Sequence, residues 1–267
     1  MLIIIFIGHN SYKKVSKTTE SPLNVIPTNA AIILQCNDPY ELYNSLNDAE
    51  IWEHLRNINL VDSINNQIQY ISSFYRQNPL IFESNALFIS LHKVGANNSG
   101  LLFTSNFERK FITNNNQINT LLGNLVKEWQ YNKQPLFELL HKNNILFVSF
   151  IGDIVFFSEN KMLVEDAIRA SVAESKLFTN KSFNTAHKTI KKSAEINLFF
   201  NYNSLIEYTN IFTKESILNS DFSGWTATDL IVKKKLISAN GFSAFNNNTI
   251  NYTDIFSNQS PEIILLL

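Results

Sequence analysis

The residues of this 267-residue chain that could do chemistry are few and scattered. Asp229 and Trp225 form the best-placed pair. Four residues apart on a strand, they share a face. A carboxylate beside an aromatic ring suits acid–base work or ligand binding, although a hydrogen-bonded structural aspartate has the same signature. His92 or His187 could supply the base that a hydrolase or transferase would need. The five histidines, His9, His54, His92, His141 and His187, show no two-histidine metal spacing. Cys36 is the single cysteine, which excludes an internal disulfide and a multi-cysteine metal site. It lies in the apolar run "AIILQC" and reads as a small buried hydrophobe. The seven glycines are isolated, so there is no phosphate loop, and no Gly-x-Ser-x-Gly elbow occurs. No catalytic, cofactor-binding or metal-binding residue is therefore assigned, and no cofactor is implied. The weak candidates are Asp229, Trp225, His92 and His187.

The remaining charged groups suit solvated surfaces. Glu165 and Asp166 stand on a helical stretch beside Arg169, and Lys233, Lys234 and Lys235 fit an exposed turn. The 22 basic residues are balanced by 23 acidic ones, for a net charge of −1. That leaves no excess to neutralise phosphates, so nucleic acid is not an expected partner. Hydrophobic residues make up 45 % of the chain, which supports a packed core and argues against disorder. Asparagine clusters replace glycine in turns, because asparagine tolerates left-handed backbone.

The elements that must position these residues follow from periodicity. Residues 30–36 form an apolar, β-rich run, and Asp38-Pro39 then starts a helix with Asp38 as N-cap. Helical patterning continues through residues 40–58. A longer helix presents Val61, Ile64, Ile68, Ile71 and Tyr75 on one side. "NALFISLHKV" and "GLLFTSNF" are strands joined by the turn "GANNSG". A second amphipathic helix is expected over 117–130, through Ile118, Leu121, Leu122, Leu125, Val126 and Trp129. Three strands follow, "PLFELLH", "ILFVSFIG" and "IVFFSE", then a helix capped by Asn160 and a helical stretch near 182–193. The chain closes with a meander of three strands, the last "INYTDIF", turning at 233–235 and 246–248.

Hairpins and helices grouped in this way predict an α+β fold with antiparallel sheets and packed helices. Ala30, Ile32, Leu34 and Asn37 match Ala194, Ile196, Leu198 and Asn201 in register. The match predicts two related α+β units, 23–130 and 131–260. Residues 1–8, with an apolar run at 2–7, are the remnant of a membrane anchor or a short strand. The run is far short of the about 20 residues that a membrane helix needs. Residues 9–22 read as a linker, and 261–267 as the start of a further C-terminal segment.

Four stretches carry a resemblance: "PLNVIPTNAAIILQCND", "ALFISLHKVG", "VFFSENKMLVEDAI" and "GWTATDLIVKKKLISANGF". The carrying residues are Pro27, Ala30, Ser90, Gly95, Ser158, Leu163, Val164, Ile168, Trp225, Asp229, Asn240, Gly241 and Phe242. Over about residues 22–260 the chain resembles a family of uncharacterised envelope proteins of Bacteroidetes-type bacteria. The resemblance implies an N-terminal anchor in the inner membrane, a periplasmic domain and often a propeller-like repeat domain beyond it. It implies no catalytic residue. The expected function is an envelope-anchored, non-enzymatic binding or scaffold domain. Its expected partner is another envelope protein or its own C-terminal domain. The alternative is a hydrolase or transferase whose site assembles from dispersed residues.

Overall fold

A computed structural model describes residues 20–57, 59–77, 86–96, 98–107, 124–141, 144–191, 193–209, 224–245 and 262–265. The anchor or short strand expected at 1–8, and the linker before residue 20, lie outside the described residues. No described helix is long and apolar enough to cross a membrane.

The fold is α+β and, among the described residues, rests on one antiparallel sheet of eleven strands. The strands are β1 (Ile32–Cys36), β2 (Leu87–Val94), β3 (Asn98–Asn106), β4 (Asn124–Tyr131), β5 (Gln134–His141) and β6 (Asn144–Ile151). They continue with β7 (Ile154–Ser158), β8 (Ile196–Asn201), β9 (Gly224–Lys233), β10 (Leu236–Phe245) and β11 (Glu262–Leu265). The order across the sheet is β11-β10-β9-β8-β1-β2-β3-β7-β6-β5-β4. Half of the neighbouring pairs are hairpins, and the turns carry the backbone chemistry that hairpins require. Gly95 (φ 64°) and Gly152 (φ 59°) occupy two of these turns, whereas Asn132 (φ 48°) and Lys133 (φ 65°) form the β4–β5 turn. The sequence ranges 23–130 and 131–260 meet at this last turn.

The pairing at the centre is symmetric in register. Leu34 faces Leu198, Ile32 faces Phe200, and Cys36 faces Ile196. Just beyond β1, the Asn37 amide donates to the Glu195 carbonyl at 3.3 Å. At the end of β8, the Asn201 amide donates to the Ala31 carbonyl at 3.0 Å.

Helices cover both faces, which is why so many strands are apolar without interruption: all five residues of β7 are buried. One face carries α1 (Pro39–Asp48), α2 (Glu50–Leu55), α3 (Asn59–Gln77) and α6 (Tyr202–Thr209). Leu42, Leu46, Ile68, Ile71, Tyr75 and Tyr208 meet Cys36, Ile89, Phe103, Phe157 and Ile196 there. Ile32 and Leu34 share this face with Ile196, as their strand parity requires. The other face carries α4 (Lys161–Val172) and α5 (Lys181–His187). Val164, Ala167 and Ile168 of α4 pack on Leu102, Leu136 and Phe156. Phe183 and Ala186 of α5 pack on Ile33, Phe199, Trp225 and Ala227. Each buried phenylalanine stabilises the fold by roughly 1.5–3 kcal/mol relative to its exposed state.

Local signals hold at the caps. The Asp38 carboxylate accepts from the Tyr40 and Glu41 amides at 2.9 and 3.1 Å, with Pro39 opening α1. The Asn160 side chain accepts from the Met162 amide at 2.9 Å. Residues 40–58 do not form one helix: Ala49 is extended, and the Glu50 amide that opens α2 donates to the Lys234 carbonyl in the β9–β10 turn.

Two expectations are corrected, and a third falls outside the described residues. Residues 124–130 are strand, not helix, because they pair with β5 as an edge hairpin; 117–123 lie outside the described residues. The helical stretch expected near 182–193 ends at His187, and the Lys191 amide donates to Asp229 instead of continuing the helix. The strand paired with β10 is Glu262–Leu265, whereas "INYTDIF" lies outside the described residues.

Candidate functional site

The four candidate side chains lie on the α4/α5 face of the sheet, but they do not converge. Asp229 stands on β9 opposite Asn197. Its Oδ1 accepts from Asn197 Nδ2 at 2.8 Å and from the Lys191 amide at 3.1 Å. The carboxylate thus pins the segment that follows α5 to the sheet, which is a structural duty. Trp225 is also on β9, 2 % exposed, and meets Phe183 edge-on with ring centroids 4.9 Å apart. His187 ends α5, stacked on Phe199 at 5.7 Å and edge-on to Phe178 at 5.1 Å. Trp225 and His187 therefore belong to one aromatic cluster around Phe183.

His92 is elsewhere. It sits on β2 opposite Gly100, where an added Cβ would come within 2.9 Å of Leu163 of α4. His92 Nε2 lies 2.8 Å from Ser90 Oγ, and Ser90 Oγ donates to the Leu102 carbonyl at 3.3 Å. Because the serine's own hydrogen is committed to Leu102, the histidine must donate through Nε2, which leaves Nδ1 an unprotonated acceptor. That Nδ1 is buried and has no partner among the described residues. Burial holds the imidazole pKa down, from 6.5 to about 3. Ser90 and His92 are spaced like a nucleophile and base, but they are 0 % and 1 % exposed, so no substrate reaches them.

The sheet register gives the separation. Asp229 faces Asn197, which faces Gln35, which faces Phe88. His92 is thus three strands away and four residues along, a separation of about 20 Å at standard strand spacings. Cys36 is buried, and burial reinforced by Asp38 pushes its thiol pKa far up, so it is no nucleophile. Among the described residues, no group of three or more His, Cys, Asp or Glu could hold a metal ion.

Sequence reasoning missed the recesses. One, of about 340 Å³, opens at the junction of Thr28–Asn29, the 175–182 segment, the β8–α6 corner and the start of β9. Asn201 forms its back wall: its Nδ2 donates to the Thr28 carbonyl at 3.1 Å and to Ser204 Oγ at 3.0 Å. A second recess, of about 360 Å³, lies at the opposite end of the β1–β8 pair. Asn37 lines it, with Nδ2 donating to the Ala194 carbonyl at 3.1 Å. The only sequence signal for either was the matched pair Asn37 and Asn201.

The fold and these sites define an α+β protein with one antiparallel sheet covered on both faces. No family model matches the chain, and no curated protein matches it. It is similar to the solved structure of TP0453 in crystal form I, at 10 % identity and a TM-score of 0.42. That alignment covers 94 % of this chain and 93 % of the other.

Proposed function

We propose that the protein is a non-enzymatic binding or scaffold domain of the bacterial cell envelope. It is held in the inner membrane through the N-terminal region and lies on the periplasmic side, as the family resemblance implies. One observation carries the non-enzymatic part. His92 and Asp229 are each held in a structural hydrogen bond and stand about 20 Å apart. A hydrolase or transferase built on Asp229 with His92 would need them within hydrogen-bond reach of one substrate. The partner is another envelope protein or a further domain of the same chain, recognised through the exposed surface of the domain.

The domain is built from two related units, β1–β2–β3 and β8–β9–β10, each opening with a strand followed by helix. The central register supports this. The pairs Ile32–Phe200 and Cys36–Ile196 exchange under a two-fold axis at Leu34–Leu198, as do the bonds Asn37 to Glu195 and Asn201 to Ala31. The hairpin turns also correspond, at Val94–Asn98 in one unit and Lys233–Leu236 in the other.

Cell fractionation tests the setting. The full-length protein is expected in the membrane fraction, and open to added protease in spheroplasts. Recovery as a soluble cytoplasmic protein overturns the envelope reading.

A further inference from the structure

We propose that the recess beside Asn201 is a binding site for a neutral, hydroxyl-rich ligand: a saccharide. The proposal deepens the binding-domain reading above and rests on it. Its lining is the first reason. Thr28, Asn29, Thr179, Asn180, Asn201 and Ser204 contribute hydroxyl and carboxamide groups, and among the described residues no ionisable side chain lines it. An ion entering it would lose water without gaining a countercharge. An apolar ligand would strip the wall of its hydrogen bonds to water. A sugar hydroxyl donates and accepts at once, which matches a wall of mixed donors and acceptors.

The second reason is that key wall groups are held in fixed orientation with one end left over. Asn201 is 6 % exposed, and both its Nδ2 hydrogens are committed to the Thr28 carbonyl and Ser204 Oγ. The carbonyl can only accept, so the amide cannot be reversed, and Oδ1 remains as an acceptor. Asn180 is fixed the other way round. Its Oδ1 accepts from the Phe183 amide at 3.0 Å and from Ser182 Oγ at 2.7 Å, which leaves its Nδ2 hydrogens as donors. Trp225 lines the same recess at 2 % exposure. The wall is thus preorganised before any ligand arrives, which lowers the entropy cost of binding.

The third reason is the internal comparison. Under the two-fold that relates β1 to β8, Asn37 and Ser193 of the second recess take the places of Asn201 and Asn29. That recess carries Asp38, Glu41 and Glu195. The same backbone corner thus exists in an acidic and an uncharged version. Its volume, about 340 Å³, falls at the small end of the range for small-molecule sites and suits one or two sugar rings.

The test is NMR titration of the isotope-labelled protein with cellobiose, maltose and diacetylchitobiose, and with galacturonate as the charged control. At least one neutral disaccharide is expected to shift the Trp225 indole and the Asn180 and Asn201 side-chain amide resonances saturably; galacturonate is expected to leave them in place. Asn29 and Asn203 are exposed lining residues, so Asn29→Trp and Asn203→Arg block the mouth without touching the core. Each is expected to weaken binding at least about tenfold with the rest of the spectrum unchanged. The proposal is overturned if none of the three sugars shifts those resonances, if galacturonate binds more tightly than all of them, or if both natively folded variants bind as the parent does. Those results leave the envelope reading standing, because fractionation decides that independently; a cytoplasmic location would overturn that reading even if the sugar bound.

Discussion

Acidification should destabilise the fold through His92, and the size of the effect follows from its burial. The ring titrates at 6.5 in the unfolded chain and at about 3 in the folded protein, because the sheet and α4 exclude the water that would solvate its charge. The folded state therefore binds fewer protons than the unfolded state between these values, and stability falls as pH falls through that window. The full gap corresponds to about 5 kcal/mol, lost completely only below pH 3. At pH 5 the unfolded ring is already protonated and the folded one is not, so about 2 kcal/mol is gone relative to pH 8. Urea unfolding of the parent and of His92→Leu at both pH values measures this. Leucine cannot titrate, and it leaves Ser90 Oγ bonded to the Leu102 carbonyl. The parent should lose about 2 kcal/mol more than the variant, while contributions from the other histidines cancel between the two proteins. Equal losses would refute the reasoning, as would an NMR titration that finds His92 protonating near its ordinary value in the folded state.

Asp229→Ala should cost about 1–3 kcal/mol in chemical denaturation, because Asn197 Nδ2 and the Lys191 amide lose their acceptor; a variant as stable as the parent would show that the carboxylate has no structural duty. Gly241→Ala should destabilise by at least about 2 kcal/mol or prevent folding, since its Cβ would stand 2.1 Å from the Ala227 carbonyl oxygen, and a thermal melt within a degree or so of the parent contradicts that contact. Lys133→Gly should raise stability by about 0.5–1 kcal/mol, as lysine holds φ at 65° in the β4–β5 turn, and a lowered urea midpoint would show that the turn is not strained there.

What the sequence made legible was decided by distance along the chain. Asp38 and Asn160 cap the amides of residues within three positions, so the composition of a short window reveals them. The edge strand β4 defeated the same kind of reading for a specific reason. A bulge between Leu125 and Lys127 inserts one residue and turns the alternation over. Leu125 faces Leu139 on the α3 side, whereas Trp129 faces Leu136 on the α4 side, although both numbers are odd. Leu125, Val126 and Trp129 then fall at steps of one and three, which imitates a helix. Edge strands suffer most from this error, because they bury too little to impose a strict period on their side chains.

The recess was invisible for a different reason. Thr28, Asn180, Asn201 and Trp225 come from four segments with no shared spacing, and they meet only because β1 and β8 are neighbours. Yet the matched asparagines did mark it. A strand-end asparagine whose amide reaches a carbonyl in the segment leading into the strand opposite closes the corner where two antiparallel strands part. Asn37 does this toward Ala194, and Asn201 toward Thr28. Each bond spans more than 150 residues of sequence, so neither window contains its partner. A repeated asparagine at equivalent strand ends is thus evidence about the contact between two units and not about either unit alone. Replacing Asn201 by Asp tests that step directly. The carboxylate keeps the shape but turns a donor toward the Thr28 carbonyl into an acceptor, so two acceptors would face each other in a buried corner. The variant should lose about 2–4 kcal/mol at pH 8, and recover part of it in acid once the carboxyl is protonated and can donate again. That recovery has the opposite sign to the His92 effect. If the protein carrying both Asn201→Asp and His92→Leu lost as much stability from pH 8 to pH 4 as His92→Leu alone, Asn201 would not close the corner through its amide hydrogens.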